Sequence, residues 1–434
     1  MSAPSASTPS PVGRRWFTPG PLRNNDYRLL FAGQLISMIG NAFYAVALPW
    51  YMLTQGGGAA NLGLALTAYA IPLGVATLLG GWLSDKLRPR RVMLFADFIR
   101  AFILAGLAWL TFGGGAPILS ADHAAPLWAI ASLTAALGLF DGLFMPASQS
   151  ITPDLLPDDQ LQAANGFYYA LTRFAQLIGP SLAGAAVVRF GSPISFALDA
   201  ATFIVSTITL AAIRGRAHQQ AAAPSESATS AAAADGSTQT TANSLWRFAF
   251  ANSYFLVLIG VLLVGNLFIG VEEVGYPALV NGPLRADAQG YGFMIAANGA
   301  GGLVGGLLAG ALGRWINRGW QPLALSLLQV APIAGVAFAP NIYAAIGYMV
   351  CFGILNGMSN VSFQTLFQRK APRNLLGRIW GLFSFCNFAM LPISVAAAGF
   401  ASAHYGPRVI ILVGGAIIAI SNGAAFFNRG LRNL

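Results

Sequence analysis

Apolar residues in this 434-residue chain gather in runs of about 20 or more, separated by short polar stretches. A run of that length crosses a ~30 Å hydrocarbon core as a helix. A helix also satisfies its own backbone polar groups, which lipid cannot do. Twelve such spans are read, at approximately 28–53, 61–84, 91–112, 126–150, 161–188, 193–213, 250–280, 288–312, 320–338, 341–367, 373–402 and 406–428. The predicted fold class is an all-α membrane protein of twelve transmembrane helices. The one long loop, 214–249, follows the sixth span. Its stretch from Gln219 to Ser244 is Ala/Ser/Thr-rich and has too few large apolar residues to fold alone, so it reads as a flexible linker. It divides the chain into a tail at 1–27, a six-helix half at 28–213 and a second at 250–434.

The halves carry an internal repeat. At a constant offset of 215 residues Gly138 matches Gly353, Gly142 matches Gly357, Gln149 matches Gln364, Pro157 matches Pro372, Gly166 matches Gly381, Gly184 matches Gly399 and Gly191 matches Gly406. Helices 4–6 therefore resemble helices 10–12 in the same orientation. Two parallel six-helix pseudo-repeats are the plan of transporters whose halves rock about a central site.

Charge sets the orientation. Only 9% of the residues are charged, against 56% hydrophobic. The net charge of +10 could point to nucleic acid, but the basic residues sit in short loops between apolar runs. Placing both termini in the cytoplasm puts 19 of the 24 Lys and Arg residues in cytoplasmic segments, and the reverse placement violates the positive-inside rule. The expected location is the inner membrane, with lipid rather than nucleic acid around the chain. Residues 1–27 lack the apolar core of a cleavable signal peptide. Cys351 and Cys386 lie in apolar runs, and His123, His218 and His404 are scattered, so neither disulfide nor metal site is indicated. No phosphate-binding loop or nucleophile constellation is present. The expectation is a non-enzyme without cofactors, acting as a monomer.

The loop after helix 2 reads Gly80-Gly81-Trp82-Leu83-Ser84-Asp85-Lys86-Leu87-Arg88-Pro89-Arg90-Arg91. It resembles the loop signature of the major facilitator superfamily, in which an acid follows a glycine and precedes a basic cluster. The resemblance implies a conformational gate, with Asp85 pairing in one state only and Gly81, Arg88 and Arg91 around it. Helix 5 carries Ala175-Gln176-Leu177-Ile178-Gly179-Pro180-Ser181-Leu182-Ala183-Gly184. It resembles the antiporter motif of drug exporters, with alanine at two glycine positions. Gly179 and Gly184 allow close packing, and Pro180 bends the helix. Asn25-Asp26-Tyr27-Arg28, Ala96-Asp97-Phe98-Ile99-Arg100-Ala101 and Phe144-Met145-Pro146-Ala147 are similar to the branch holding macrolide-efflux and enterobactin-exporter-like proteins. The resemblance implies the major facilitator fold and export of an amphiphilic small molecule in exchange for protons. One departure matters: helix 4 lacks the arginine that many proton-coupled exporters carry, and its charge is Asp141.

Charges at membrane depth each need an explanation, because they are costly unless paired or hydrated. Asp97 and Arg100, three apart on helix 3, are read as a structural pair. Asp199 is placed near the outer face, within reach of Arg189 or water, and is also read as structural. Asp141 and Arg173 lie at similar depths on helices 4 and 5, which makes an ion pair between them plausible. Glu272 and Glu273 have no basic neighbour in sequence, and a buried acid without a cation is the easier to protonate. Asn266, Gly270, Glu273 and Pro277 form one stripe at helical spacing, so Glu273 leads as proton carrier, with Glu272, Asp141 and Arg173 behind it. A cavity lined by helices 1, 4, 7 and 10 would present Gln34, Asn41, Tyr44, Phe144, Asn266, Phe268, Tyr276, Asn356, Asn360 and Gln364, besides the acids. That set suits a bulky, partly apolar ligand. Uptake on the same fold and a channel remain the alternatives.

Overall fold

The computed structural model describes residues 20–55, 57–114, 126–214, 253–312, 320–370 and 376–426. Within some of these helices the side chains at 81, 82, 84, 85, 253–256, 258, 366–370 and 376–385 also lie outside the description. Most of the expected linker, 215–249, does too.

The described chain is helical. The first four helices are α1 (Asn25–Thr54), α2 (Ala59–Lys86), α3 (Pro89–Trp109, continued by a π turn at Leu110–Gly114) and α4 (Leu127–Leu155). A helical run of 55 residues follows, Asp158–Ala212. At helical rise it would be ~82 Å long, far more than a bilayer. Gly191 breaks it, with φ 83° and ψ 165°. The run is therefore two spans, 158–190 (α5) and 192–212 (α6), and eleven apolar helices become twelve.

The second half begins with α7, which is interrupted: Ser253–Asn266, a π turn at Val271–Gly275, then Tyr276–Asn281. It continues through α8 (Ala288–Ala311), α9 (Trp320–Leu328 and Val330–Ala337), α10 (Ile342–Lys370), α11 (Leu376–Tyr405) and α12 (Pro407–Phe426). Gly406, with φ 82°, turns the chain between α11 and α12 as Gly191 does between α5 and α6. The two glycines are the 215-residue matches of one another. L-residues with a Cβ rarely adopt this backbone, so the repeat preserves glycine there.

The repeat also recurs in packing. A Cβ on Gly138 or Gly142 of α4 would strike the carbonyl oxygens of Tyr69 or Leu73 on α2, at 2.1 and 2.5 Å. A Cβ on Gly353 or Gly357 of α10 would strike the carbonyls of Asn298 or Gly302 on α8, at 2.3 and 2.2 Å. Each pair of helices thus meets backbone to backbone through matched glycines, the small-residue contact that drives helix association in lipid.

At one end of the bundle lie Arg23, Arg28, Lys86, Arg88, Arg90 and Arg91; this is the basic end. Here Asn24 Nδ2 donates to Leu155 O at 2.8 Å and Tyr27 Oη to Ala164 O at 3.1 Å. Arg90 donates to the last carbonyls of α6, Leu210 O and Ala211 O, at 2.8 and 2.7 Å. A cation on carbonyls left free by a helix end is favourable for both bonding and dipole reasons.

The halves meet chiefly through α5 with α8 and α2 with α11. Contact is tightest at the far end. A Cβ on Gly184 would lie 2.5 Å from Ala288 O, and one on Gly292 would lie 2.2 Å from Pro180 O. Gly63 and Gly399 face each other, a Cβ on Gly63 lying 2.7 Å from the Gly399 Cα. Toward the basic end Gly166 of α5 and Gly310 of α8 would meet nothing within 4 Å. The bundle is closed at the far end and parted at the basic end.

Candidate functional site

The parting opens a central cavity of about 500 Å³, within the size range of small-molecule sites. The amino-terminal half builds most of its wall: Gln34, Asn41 and Tyr44 of α1, Tyr69 of α2, Arg100 of α3, Asp141 and Phe144 of α4, Asp199 and Phe203 of α6. From the other half come Glu273 of α7 and Phe388, Leu391 and Val395 of α11. Tyr168 of α5 and Met145 of α4 also line it and are exposed. The wall is mainly aromatic and aliphatic with a few polar groups, a composition that holds a bulky apolar body and orients it by selected hydrogen bonds.

The polar part of the wall is a connected cluster. Arg100 bridges two acids, with Nη1 2.9 Å from Asp97 Oδ1 and Nη2 2.7 Å from Asp141 Oδ1. Tyr69 Oη donates to Asp141 Oδ2 at 2.7 Å, and Ser206 Oγ donates to Asp97 Oδ2 at 2.6 Å. The guanidinium carbon lies 4.2 Å from the Phe144 ring centre and 5.1 Å from that of Phe203. Rings on a cation's faces and acids at its edge are how a buried guanidinium is accommodated.

Gln34, Asn41, Tyr44, Asp141, Phe144 and Glu273 thus lie on the wall as placed from sequence. Others do not. The plausible Asp141–Arg173 pair is not formed: Arg173 donates to Gln176 Oε1 at 2.9 Å and sits over the Tyr169 ring. Asp141 takes Arg100 instead, because α3 packs on both α4 and α6 and delivers its arginine between them. Asp199 is 1% exposed and lines the central cavity, while Arg189 lies against Phe190.

On α7 the stripe of Asn266, Gly270, Glu273 and Pro277 does not hold together. The helix is interrupted at 267–268 and passes through the π turn, which changes the register that α spacing assumes. Gly270 is used for packing, 2.1 Å from Ser394 O at its Cβ position, and only Glu273 of the stripe lines the cavity. Glu272 is off that wall. Phe268 and Tyr276 are buried in the core, where Phe268 stacks with Tyr276 and Phe352. Asn356 and Asn360 of α10 bond to each other, and Asn360 and Gln364 are exposed rather than part of this wall.

The helix 5 motif acts in packing. A Cβ on Gly179 would lie 2.7 Å from Ala42 Cβ of α1, and Gly184 and Pro180 make the far-end contact with α8. Arg88 and Arg91 are exposed beside the α2–α3 turn; the side chains of Gly81 and Asp85 lie outside the described residues. Sequence reasoning passed over Tyr69 and assigned Arg100 and Asp199 to packing. The usable signal was the count: the amino-terminal half holds three membrane aspartates on α3, α4 and α6. No group of three His, Cys, Asp or Glu side chains able to hold a metal occurs among the described residues.

A twelve-helix bundle with two repeated halves and a central cavity open at one end has the architecture of a secondary transporter. Residues 30–395 match the sequence profile of the Major Facilitator Superfamily, and the chain belongs to that family. It is 26% identical over 378 residues to the multidrug efflux pump Tap of Mycolicibacterium fortuitum, covering 86% of this chain and 87% of that one. It is 27% identical over 394 residues to the enterobactin exporter EntS of Salmonella typhimurium, covering 90% and 88%. In structure it is similar to a bacterial homologue of the iron transporter ferroportin in an inward-facing state, with TM-score 0.66 and 18% identity over 92% of this chain and 99% of that one. The nucleoside transporter NupG has the same fold, with TM-score 0.69 and 13% identity over 93% and 99%. The protein is a multi-pass membrane protein of a transporter family.

Proposed function

We propose that this protein exports an amphiphilic small molecule, of the drug, macrolide or siderophore kind, by alternating access in exchange for protons. It lies in the inner membrane with both termini and the linker in the cytoplasm. The observation that carries the reading is the one-ended cavity: aromatic and aliphatic walls, carboxyls from both halves, and a glycine-tight seal at the far end. With the basic end in the cytoplasm this is the inward-open state, ready to take substrate from inside. Reversal requires the α5–α8 and α2–α11 seals to part and the basic end to close, so that the same wall faces outward. Tap and EntS, both named as exporters, support the direction and the range of substrates.

The composition of the wall supports proton coupling. Glu273 lies on the carboxy-terminal side of the cavity with no ion-pair partner among the described residues. A bound proton can be exchanged there against substrate, so that each excludes the other. The decisive test is transport into proteoliposomes under an imposed pH gradient, with a panel of dyes, macrolides and siderophores. Gradient-driven movement outward with respect to the basic end supports export. Uptake coupled in the opposite sense, or an ohmic conductance in planar bilayers, replaces the reading with an importer or a channel.

A further inference from the structure

Asp199 has no role in the account so far, yet among the described acids of the cavity wall it is the one with a carboxyl oxygen buried without a hydrogen-bond partner. It lies on α6 and is 1% exposed. The Thr202 hydroxyl lies 3.2 Å from Asp199 Oδ1 but only 2.7 Å from the Asp199 backbone carbonyl oxygen, so one hydrogen is shared between them. Oδ2 is buried and meets no donor. The Tyr44 hydroxyl and Arg100 Nε, on neighbouring elements, are likewise buried without partners. α1 approaches closely, since a Cβ on Gly40 would lie 2.5 Å from Asp199 Oδ1, so the carboxyl has little freedom to turn away.

The titratable and charged groups around Asp199 are Tyr44 from α1, Asp97 and Arg100 from α3 and Asp141 from α4, and Glu273 of α7 lines the cavity from the opposite half. This region therefore holds three carboxyl groups and one guanidinium. Arg100 is already committed, with one nitrogen on Asp97 and another on Asp141. It is also the one cation on the described cavity wall. A buried ion without counter-charge takes up a proton or a counter-ion rather than remain charged. Asp199, which has no cation of its own and an open oxygen, is the member positioned to do so.

We propose that Asp199 is a second proton-exchanging carboxyl, in the amino-terminal half, working alongside Glu273 in the carboxy-terminal half. A proton from cavity water adds to Oδ2 in one state and returns to water in the other; no other bond changes. Exchange of the Glu273 proton against substrate remains the obligatory step, and Asp199 adds a second proton to the cycle. The proposal rests on the proton-coupled reading above.

The test compares wild type with Asp199→Asn, Thr202→Val and Glu273→Gln. Purified proteins are titrated by infrared difference spectroscopy in light and heavy water, without substrate and in sodium-free buffer. The expected result is a protonated-carboxyl C=O band that shifts on deuteration, disappears in Asp199→Asn, survives in Glu273→Gln and changes frequency in Thr202→Val. The amide introduced by Asp199→Asn can still accept from Thr202, which favours the same fold. Thr202→Val keeps the acid and ties the band to this site if Asp199→Asn fails to fold. In liposomes with a one-unit pH gradient, using ethidium as probe, Asp199→Asn should lower the limiting accumulation ratio by about tenfold, one proton's worth of that gradient. An unchanged carboxyl spectrum in Asp199→Asn, or a band that sodium abolishes, overturns the proposal. A coupled wild type with an undiminished ratio in Asp199→Asn overturns it while leaving the coupling reading intact. A wild type that takes no energy from the gradient for any probe overturns both.

Discussion

Arg100 on α3 and Asp141 on α4 meet at 2.7 Å on the cavity wall, in a half whose fourth helix has no arginine of its own. The same guanidinium holds Asp97. Removing the cation should therefore cost more than removing either acid. Arg100→Leu leaves two acids without a counter-charge, and breaking such a buried pair costs about 3–5 kcal/mol. Asp141→Asn leaves Arg100 still paired with Asp97 and keeps an acceptor for Tyr69. The expected order of thermal stability in detergent is wild type, then Asp141→Asn, then Arg100→Leu. Equal losses would mean that the cluster is not organised around Arg100.

The matched glycines give a packing prediction. Gly138→Val places carbon against the Tyr69 carbonyl, a backbone group that cannot swing aside. Overpacking of this kind costs about 1–3 kcal/mol. Gly353→Val should do the same through Asn298. Gly347→Ala, on the exposed side of α10 with nothing within 4 Å, should be neutral or mildly stabilising. Unfolding temperatures of the three variants check this, and a tolerant Gly138→Val would contradict the backbone contact.

At the far-end seal the expected outcome is different. Gly184→Val fills the contact with Ala288 between the halves, so it should oppose closure rather than folding. Cysteines placed around the far end should become more reactive to impermeant reagents, and transport should fall while the amount of folded protein is kept. Unchanged reactivity would mean that this contact does not set the conformational balance.

Orientation is checked by labelling. Single cysteines within 220–240 should react only from the cytoplasm and those within 113–124 only from outside. Labelling of the linker from the outside would reverse the export reading, because the cavity would then open outward.

Much of the fold was legible because lipid enforces it. Span length and the 215-residue repeat are consequences of bilayer thickness and duplication. Gly191 and Gly406 could even be paired before their shared backbone conformation was known. The site was less legible, because it depends on which face of each helix turns inward. On α1 and α4 regular α spacing places Asn41, Tyr44, Asp141 and Phe144 on the wall. On α7 the interruption and π turn break that spacing, so Asn266 and Tyr276 fall elsewhere. Arg100 was paired correctly with Asp97, but nothing in one helix's sequence reveals that its second partner lies on another.

The central claim is that a carboxyl on α7 exchanges a proton against substrate in the cavity. The direct measurement is Glu273→Gln, assayed for substrate binding and for flux driven by a pH gradient. The amide imitates the protonated acid in shape and hydrogen bonding but cannot release a proton. The account predicts binding affinity close to wild type, with pH-gradient-driven export abolished. Full proton-driven flux in Glu273→Gln would contradict it and remove this residue from the coupling mechanism.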